Sequence, residues 1–392
     1  MQKIIFLTTS PFSLRDYDKL GVQYFQERGY MTEVWDLRLF SNPERFYEVE
    51  KPKYDAIKQF KSFSELKREL KMLNRNDLVF DVIAANEWFR YFALKILNRN
   101  NIRVIKHSQT GKFPVHIQSG FKGQLKRWKS IFYFSKIDFI KKIIIKMLSK
   151  LAPIKRDFYL VSGEAGNYLK GQLLSDLNID THTYDFELFL RSEKKPSKKD
   201  IIFLDENPFQ SIDNASDFLD YENHIFSYYD KLDRFLTQIE QDIGKEVVVA
   251  VHPRSDSKYW ETRFKSRTVK AGQTHELVRN SELCITTASN AIDFIVLFKK
   301  LAVFINSSEY SKTASYPWMK FYSQELDIEI IDIEEYFDIG AYITENSFSS
   351  PLYESYIKKY IKSRYSKDDA MYKIVEDHLI QLGVLKPANP SE

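Results

Sequence analysis

The stretch Val247-Val248-Val249-Ala250-Val251-His252-Pro253-Arg254 begins as a short apolar run and breaks at once into an imidazole, a proline and a guanidinium. Further along, Cys284-Ile285-Thr286-Thr287-Ala288-Ser289-Asn290-Ala291-Ile292-Asp293 breaks in the same way, into hydroxyls and an amide at the start of a helical pattern. Apolar runs of this length, bounded by polar groups, are the pattern of strands buried on both faces of a parallel sheet. If the two strands lie side by side, their ends surround the crevice in which a doubly wound sheet binds its ligand. The donors gathered there suit a phosphate.

The rest of the chain repeats the alternation. Residues 3–8 and 31–37 read as strands around an amphipathic helix, 14–28, that closes at Gly29. Strands follow at 77–83, 102–107 and 157–162, with a helix over 87–98. After the charged segment Arg191–Asp200, strands are predicted at 201–205, 246–251, 282–287, 301–306 and 328–332. Helices are expected within 216–243 and from 274 and 289. Strands alternating with helices imply βαβ units. The predicted fold class is therefore α/β, with two Rossmann-like domains facing across a cleft: a first domain over 1–190, a linker over 191–200, a second domain over 201–345 and a helical tail over 346–392.

A chain of 392 residues is too long for one ordinary core and fits two such domains. Its 15% aromatic content separates it from disordered chains, and a net charge of +4 gives no general reason to expect nucleic acid as a partner. The single cysteine, Cys284, excludes an intrachain disulfide and a thiolate metal cluster, and its place in an apolar strand reads as core. The N-terminal strand pattern lacks the features of a signal peptide, and no apolar run is long enough to cross a bilayer. The expectation is a protein in the cytoplasm or on the cytosolic face of a membrane.

Each polar strand end has a functional and a structural reading. His252, Pro253 and Arg254 can grip a leaving phosphate, Arg254 in fork geometry; the alternative is a strand-end histidine on a carbonyl and a surface ion pair. Thr286, Thr287, Ser289 and Asn290 can cap the following helix or ring an anion, and the two readings are compatible. Asp205 and Glu206, at the end of the strand opening the second domain, can hold ribose or sugar hydroxyls or simply begin a loop. In the first domain His107 sits at a strand tip, where a near-neutral imidazole can take a proton. Ser108, Gln109, Thr110, Gly111 and Lys112 continue from it as an acceptor-side loop, and His107 can equally be a solvated loop residue. Glu164, in Ser162-Gly163-Glu164, is a second candidate base.

Residues 122–156 contain eleven Lys or Arg and one acid, Asp138, among many aromatic and aliphatic residues. That mixture suits a helix lying on an anionic membrane surface, with Lys126, Arg127, Trp128, Lys141, Lys142 and Lys146 facing it; the alternatives are nucleic-acid binding, for which no recognised module accompanies the patch, and a solvated face on a packed helix. A metal site has little support, because Asp16-Tyr17-Asp18 falls inside the first predicted helix. No cofactor or divalent ion is expected.

On the His252-Pro253 pair, the row from Thr286 to Asn290, His107, Val161-Ser162-Gly163-Glu164 and Phe203-Leu204-Asp205-Glu206, the chain resembles bacterial GT-B glycosyltransferases of capsule and lipopolysaccharide assembly. The group includes sialyltransferases, Kdo transferases and polyol-phosphate transferases. The resemblance implies a metal-independent, inverting glycosyltransferase using a nucleotide-sugar donor, CMP-linked in preference to UDP- or GDP-linked. The acceptor would be a surface glycan or lipid-linked precursor at the inner face of the cytoplasmic membrane. It implies donor binding by His252, Ser289 and Asn290, with His107 as the base. Two alternatives stay open: a sugar-nucleotide epimerase of the same architecture, and an inactive glycan- or lipid-binding scaffold.

Overall fold

A computed structural model describes residues 2–41, 50–83, 88–107, 144–145, 147–148, 150–165, 177–192, 199–208, 221–251, 260, 263–264, 267–313 and 315–387. The fold is α/β. It contains a seven-stranded sheet, ordered β3-β2-β1-β4-β5-β6-β7, and a six-stranded one, ordered β10-β9-β8-β11-β12-β13. The first comprises β1 (Lys3–Thr8), β2 (Met31–Asp36), β3 (Ile57–Gln59), β4 (Leu78–Val82), β5 (Arg103–Lys106), β6 (Phe158–Ser162) and β7 (Leu177–Thr181). The second comprises β8 (Asp200–Leu204), β9 (Val247–Val251), β10 (Val269–Ala271), β11 (Ser281–Thr286), β12 (Leu301–Asn306) and β13 (Ile330–Asp332). Every ladder is parallel. In each sheet the chain winds outward from its first strand, returns, and winds outward the other way. The order therefore reverses between β1 and β4, and again between β8 and β11.

The sequence accounts for this burial directly. Along β1, Ile4 and Phe6 face one apolar cluster while Ile5 and Leu7 face another, so the strand is apolar from Ile4 to Leu7. Phe6 stacks on Phe80 of β4 at 4.8 Å. The helices Phe63–Met72 and Phe89–Arg99 cover the second cluster through Leu66, Leu70, Ala93 and Leu97.

The chain divides into two compact units, one formed by residues 1–184 with 362–392 and the other by 185–361. The boundary thus falls within the helix Tyr184–Arg191, ahead of the charged segment taken from the sequence as a linker. The final segment is shared between the units. Tyr353 and Tyr356, on the helix Ser350–Tyr356, hydrogen-bond to the Lys300 carbonyl (2.9 Å) and Asp293 (3.1 Å) of the second unit. The helix Met371–Gln381 packs Tyr372, Val375 and Leu379 into the first. Its buried Glu376 accepts hydrogen bonds from Tyr24 (2.6 Å) and Tyr30 (2.8 Å) and pairs with Arg28 (3.3 Å).

One predicted helix is two. Residues 14–28 form Leu14–Lys19 and Val22–Glu27, broken at Gly21, whose φ is +76°. A Cβ at Gly21 would overlap the ring of Tyr372, so both the left-handed backbone and the close approach require glycine there.

Candidate functional site

β8 and β11 run side by side at the reversal point of the second sheet, with Leu204 in register with Thr286. Their carboxyl ends bring Asp205 and Glu206 beside the Thr286–Asn290 row. The Asp205 amide donates to the Ala250 carbonyl at 3.0 Å. Its Oδ1 accepts from the Asn207 amide (3.1 Å) and the Tyr229 hydroxyl (3.4 Å), while Oδ2 is buried without a hydrogen-bond partner. Burial pushes this carboxyl up to about 7, and the neighbouring Glu206 adds to the rise. Burial also raises Glu206, opposed by hydrogen bonds from Tyr310, Thr287, the Ala288 amide and Ser315. The Ala288 amide in turn donates to the Tyr310 hydroxyl at 3.1 Å.

Thr286 Oγ1 is likewise buried without a partner, as is Oδ1 of Asn306, the last residue of β12. Three consecutive strands, β8, β11 and β12, thus each end in a buried oxygen that the protein leaves unbonded. Folded proteins rarely leave such atoms unpaired, at a cost of about 1–3 kcal/mol each. A protonated Asp205 and the threonine hydroxyl can donate as well as accept, which suits a ligand rich in hydroxyls and phosphate oxygens.

The rest of the row is arranged differently from the cap expected. Ser289 Oγ accepts from the Ala291 amide at 3.2 Å, and Asn290 is exposed. The following helix, Ile292–Leu297, is only six residues long, and its N-cap, Ala291, supplies no side-chain bond. The strands ending at Val251 and Thr286 are not neighbours as the sequence suggested, because β8 lies between them. Reversal of the winding inserts the unit's first strand there, so Asp205 and Glu206 follow a strand that lies between β9 and β11. His252, Pro253 and Arg254 lie outside the described residues, as do Ser108, Gln109, Thr110, Gly111, Lys112, Lys126, Arg127, Trp128, Lys141, Lys142 and Lys146.

In the first unit, His107 follows β5 as a buried residue, not a solvated loop group. Its Nε2 lies 2.6 Å from the Tyr372 hydroxyl, against which the ring is stacked. Burial, reinforced by Lys19 and Lys106, lowers its pKa to about 3. Glu164, after β6, is half-buried with its carboxylate 3.8 Å from Arg364. Cys284 is a core residue, its thiol 3.1 Å from Ser281 Oγ and pushed up to about 12 by burial.

Sequence reasoning missed Asn306 and Tyr310, although β12 ends in the same signal as β11: an apolar run breaking into Asn306-Ser307-Ser308. It also missed the charged group around Asp81 in the first unit. Among the described residues no His, Cys, Asp or Glu cluster is arranged to hold a metal, and no helix is long and apolar enough to cross a membrane.

No family model matches the chain, and no curated protein matches it in sequence. Solved structures similar to it include Acinetobacter baumannii MurG, at 10% identity over 97% of this chain and 100% of that one, with a TM-score of 0.44. Methanocaldococcus jannaschii UDP-GlcNAc 2-epimerase, solved with UDP-GlcNAc and UDP, is similar at 12% identity over 98% and 100%, with a TM-score of 0.47. Anabaena HepE, solved with UDP, is similar at 8% identity over 98% and 100%, with a TM-score of 0.43. At these levels the similarity assigns no activity to this chain.

Proposed function

We propose that this protein is a glycosyltransferase of GT-B type that holds the nucleotide of an activated sugar at the reversal point of its second sheet. The observation that carries this reading is the pair of unpartnered buried oxygens, Asp205 Oδ2 and Thr286 Oγ1, at the ends of adjacent strands of a Rossmann-ordered unit. Crevices at the carboxyl ends of such strands are where α/β sheets bind their ligands. Asp205 and Glu206 would meet ribose or sugar hydroxyls, while Thr286, Thr287 and Asn306 supply the remaining polar contacts. His252, Arg254 and Ser289 are the sequence's candidates for the departing phosphate.

The proposed reaction is a metal-independent single displacement with inversion. The acceptor oxygen forms its bond to the anomeric carbon as the bond from that carbon to the phosphate oxygen breaks, and the acceptor proton passes to a base. Between the two bases offered by the sequence, Glu164 suits this task better. His107 is buried under Tyr372 and, with a pKa near 3, attracts a proton weakly. The acceptor we infer is a surface glycan or lipid-linked precursor at the inner face of the membrane, supported by the basic and apolar composition of residues 122–156.

The test is incubation with CMP-, UDP-, GDP- and CDP-linked sugars, with and without a bacterial lipid extract as acceptor. CMP-linked donors come first, following the resemblance. Nucleotide release that depends on the extract is the expected result. Isomerisation of a nucleotide sugar without acceptor would make the protein an epimerase, and inertness toward every donor would leave a binding scaffold; either overturns the reading.

A further inference from the structure

Asp81 on β4 is in register with Lys106 on β5, and Lys106 with Tyr159 on β6. The carboxylate is fully buried. Arg90, in the first turn of the helix Phe89–Arg99, already spans both of its oxygens, with Nε 3.3 Å from Oδ1 and Nη2 2.8 Å from Oδ2. Arg156 nevertheless places Nε 3.2 Å from the same Oδ2 and Nη1 3.4 Å from the Tyr159 hydroxyl. Lys106 adds its ammonium 3.9 Å from Oδ2 and 3.3 Å from the Asp81 carbonyl oxygen. Three cations therefore share one carboxylate, a formal surplus of two positive charges (three minus one).

A structural ion pair needs only the first arginine. The surplus sits where water is scarce: the three cationic side chains are 11–21% exposed. Like charges repel strongly in such surroundings. Lys106 registers that repulsion, since burial lowers its pKa to about 8 with Arg90 and Arg156 adding to the fall and Asp81 opposing it. The same side chains remain within reach of solvent and have N–H groups beyond those spent on Asp81. Two guanidinium forks and an ammonium are the donor set that binds a tetrahedral oxyanion.

We propose that Arg90, Lys106 and Arg156 form a binding site for a phosphate group, with Asp81 holding the three cations in place. No residue is shared with the Asp205 and Thr286 site, so this inference stands whether or not the donor reading does.

The test is calorimetric titration of the full-length protein with inorganic phosphate, against sodium chloride of equal ionic strength, for wild type, R156Q, K106M and D205N. Saturable phosphate binding is expected in wild type and D205N, weakened roughly tenfold or more in R156Q and K106M. NMR of the Lys106 side chain supplies a readout that needs no variant, because bound phosphate should raise its pKa. Absence of saturable binding, binding lost in D205N but kept in R156Q, or an unmoved Lys106 titration would each overturn the proposal.

Discussion

The Tyr372 hydroxyl donates to the Lys19 carbonyl at 2.9 Å and lies 2.6 Å from His107 Nε2, so the proton in the second contact must come from the imidazole. A hydroxyl has one hydrogen to give. His107 is therefore the neutral tautomer protonated on Nε2, anchored to the C-terminal helix. Its folded pKa lies well below its unfolded one, so its contribution to stability is complete above about pH 6.5 and is lost as pH falls toward 3. Imidazole NMR should show a neutral His107 down to about pH 4. A midpoint near 6.5 in the native protein would contradict the arrangement.

Asp205 has the opposite sign. Its folded pKa of about 7 lies above the ordinary 3.8, so the stability it contributes is present at low pH and lost as pH rises between those values. Over that window the loss is at most roughly 4 kcal/mol. Urea unfolding at a series of pH values should show this decline in wild type and its absence in D205N. Parallel curves for the two proteins would show that Asp205 ionises normally.

Gly21→Ala should destabilise the first unit by roughly 2–5 kcal/mol, combining a left-handed residue with overpacking. The added methyl meets the Tyr372 ring, so the His107 signals should also shift. A loss below about 1 kcal/mol with unchanged His107 resonances would mean the helix pair accommodates a side chain.

Glu376→Ala should destabilise the same unit by roughly 2–4 kcal/mol, because the Tyr24 and Tyr30 hydroxyls lose their acceptor and Arg28 loses its partner. Chemical denaturation measures this directly. A near-neutral effect would show that the C-terminal helix is held by its apolar contacts alone.

The central strands were legible because burial on both faces leaves no room for polar residues: the runs at β1, β8, β9, β11 and β12 are unmistakable. β3, with Ile57-Lys58-Gln59, and β10, with Val269-Lys270-Ala271, were not, since edge strands are short and half-polar. The break at Gly21 was hidden because its cause, Tyr372, lies at the other end of the chain. The sequence offered the candidate site as a set of strand ends, and Asp205, Glu206, Thr286 and Thr287 lie at the carboxyl ends of the adjacent strands β8 and β11. The placement of β8 between β9 and β11 was not legible, because it follows from the winding order. Arg90, Lys106 and Arg156 are individually ordinary residues; the register of β4 and β5, the start of the helix Phe89–Arg99 and the approach to β6 bring them to one carboxylate.

The most direct test of the donor site is calorimetric titration of CMP, UDP, GDP and CDP into wild type and T286V. Valine keeps the shape of Thr286 and removes an unpartnered hydroxyl, so T286V should fold with undiminished stability. The account predicts saturable binding of at least one nucleotide to wild type and roughly tenfold weaker binding to T286V. No binding by wild type, or equal affinity in T286V, would contradict it.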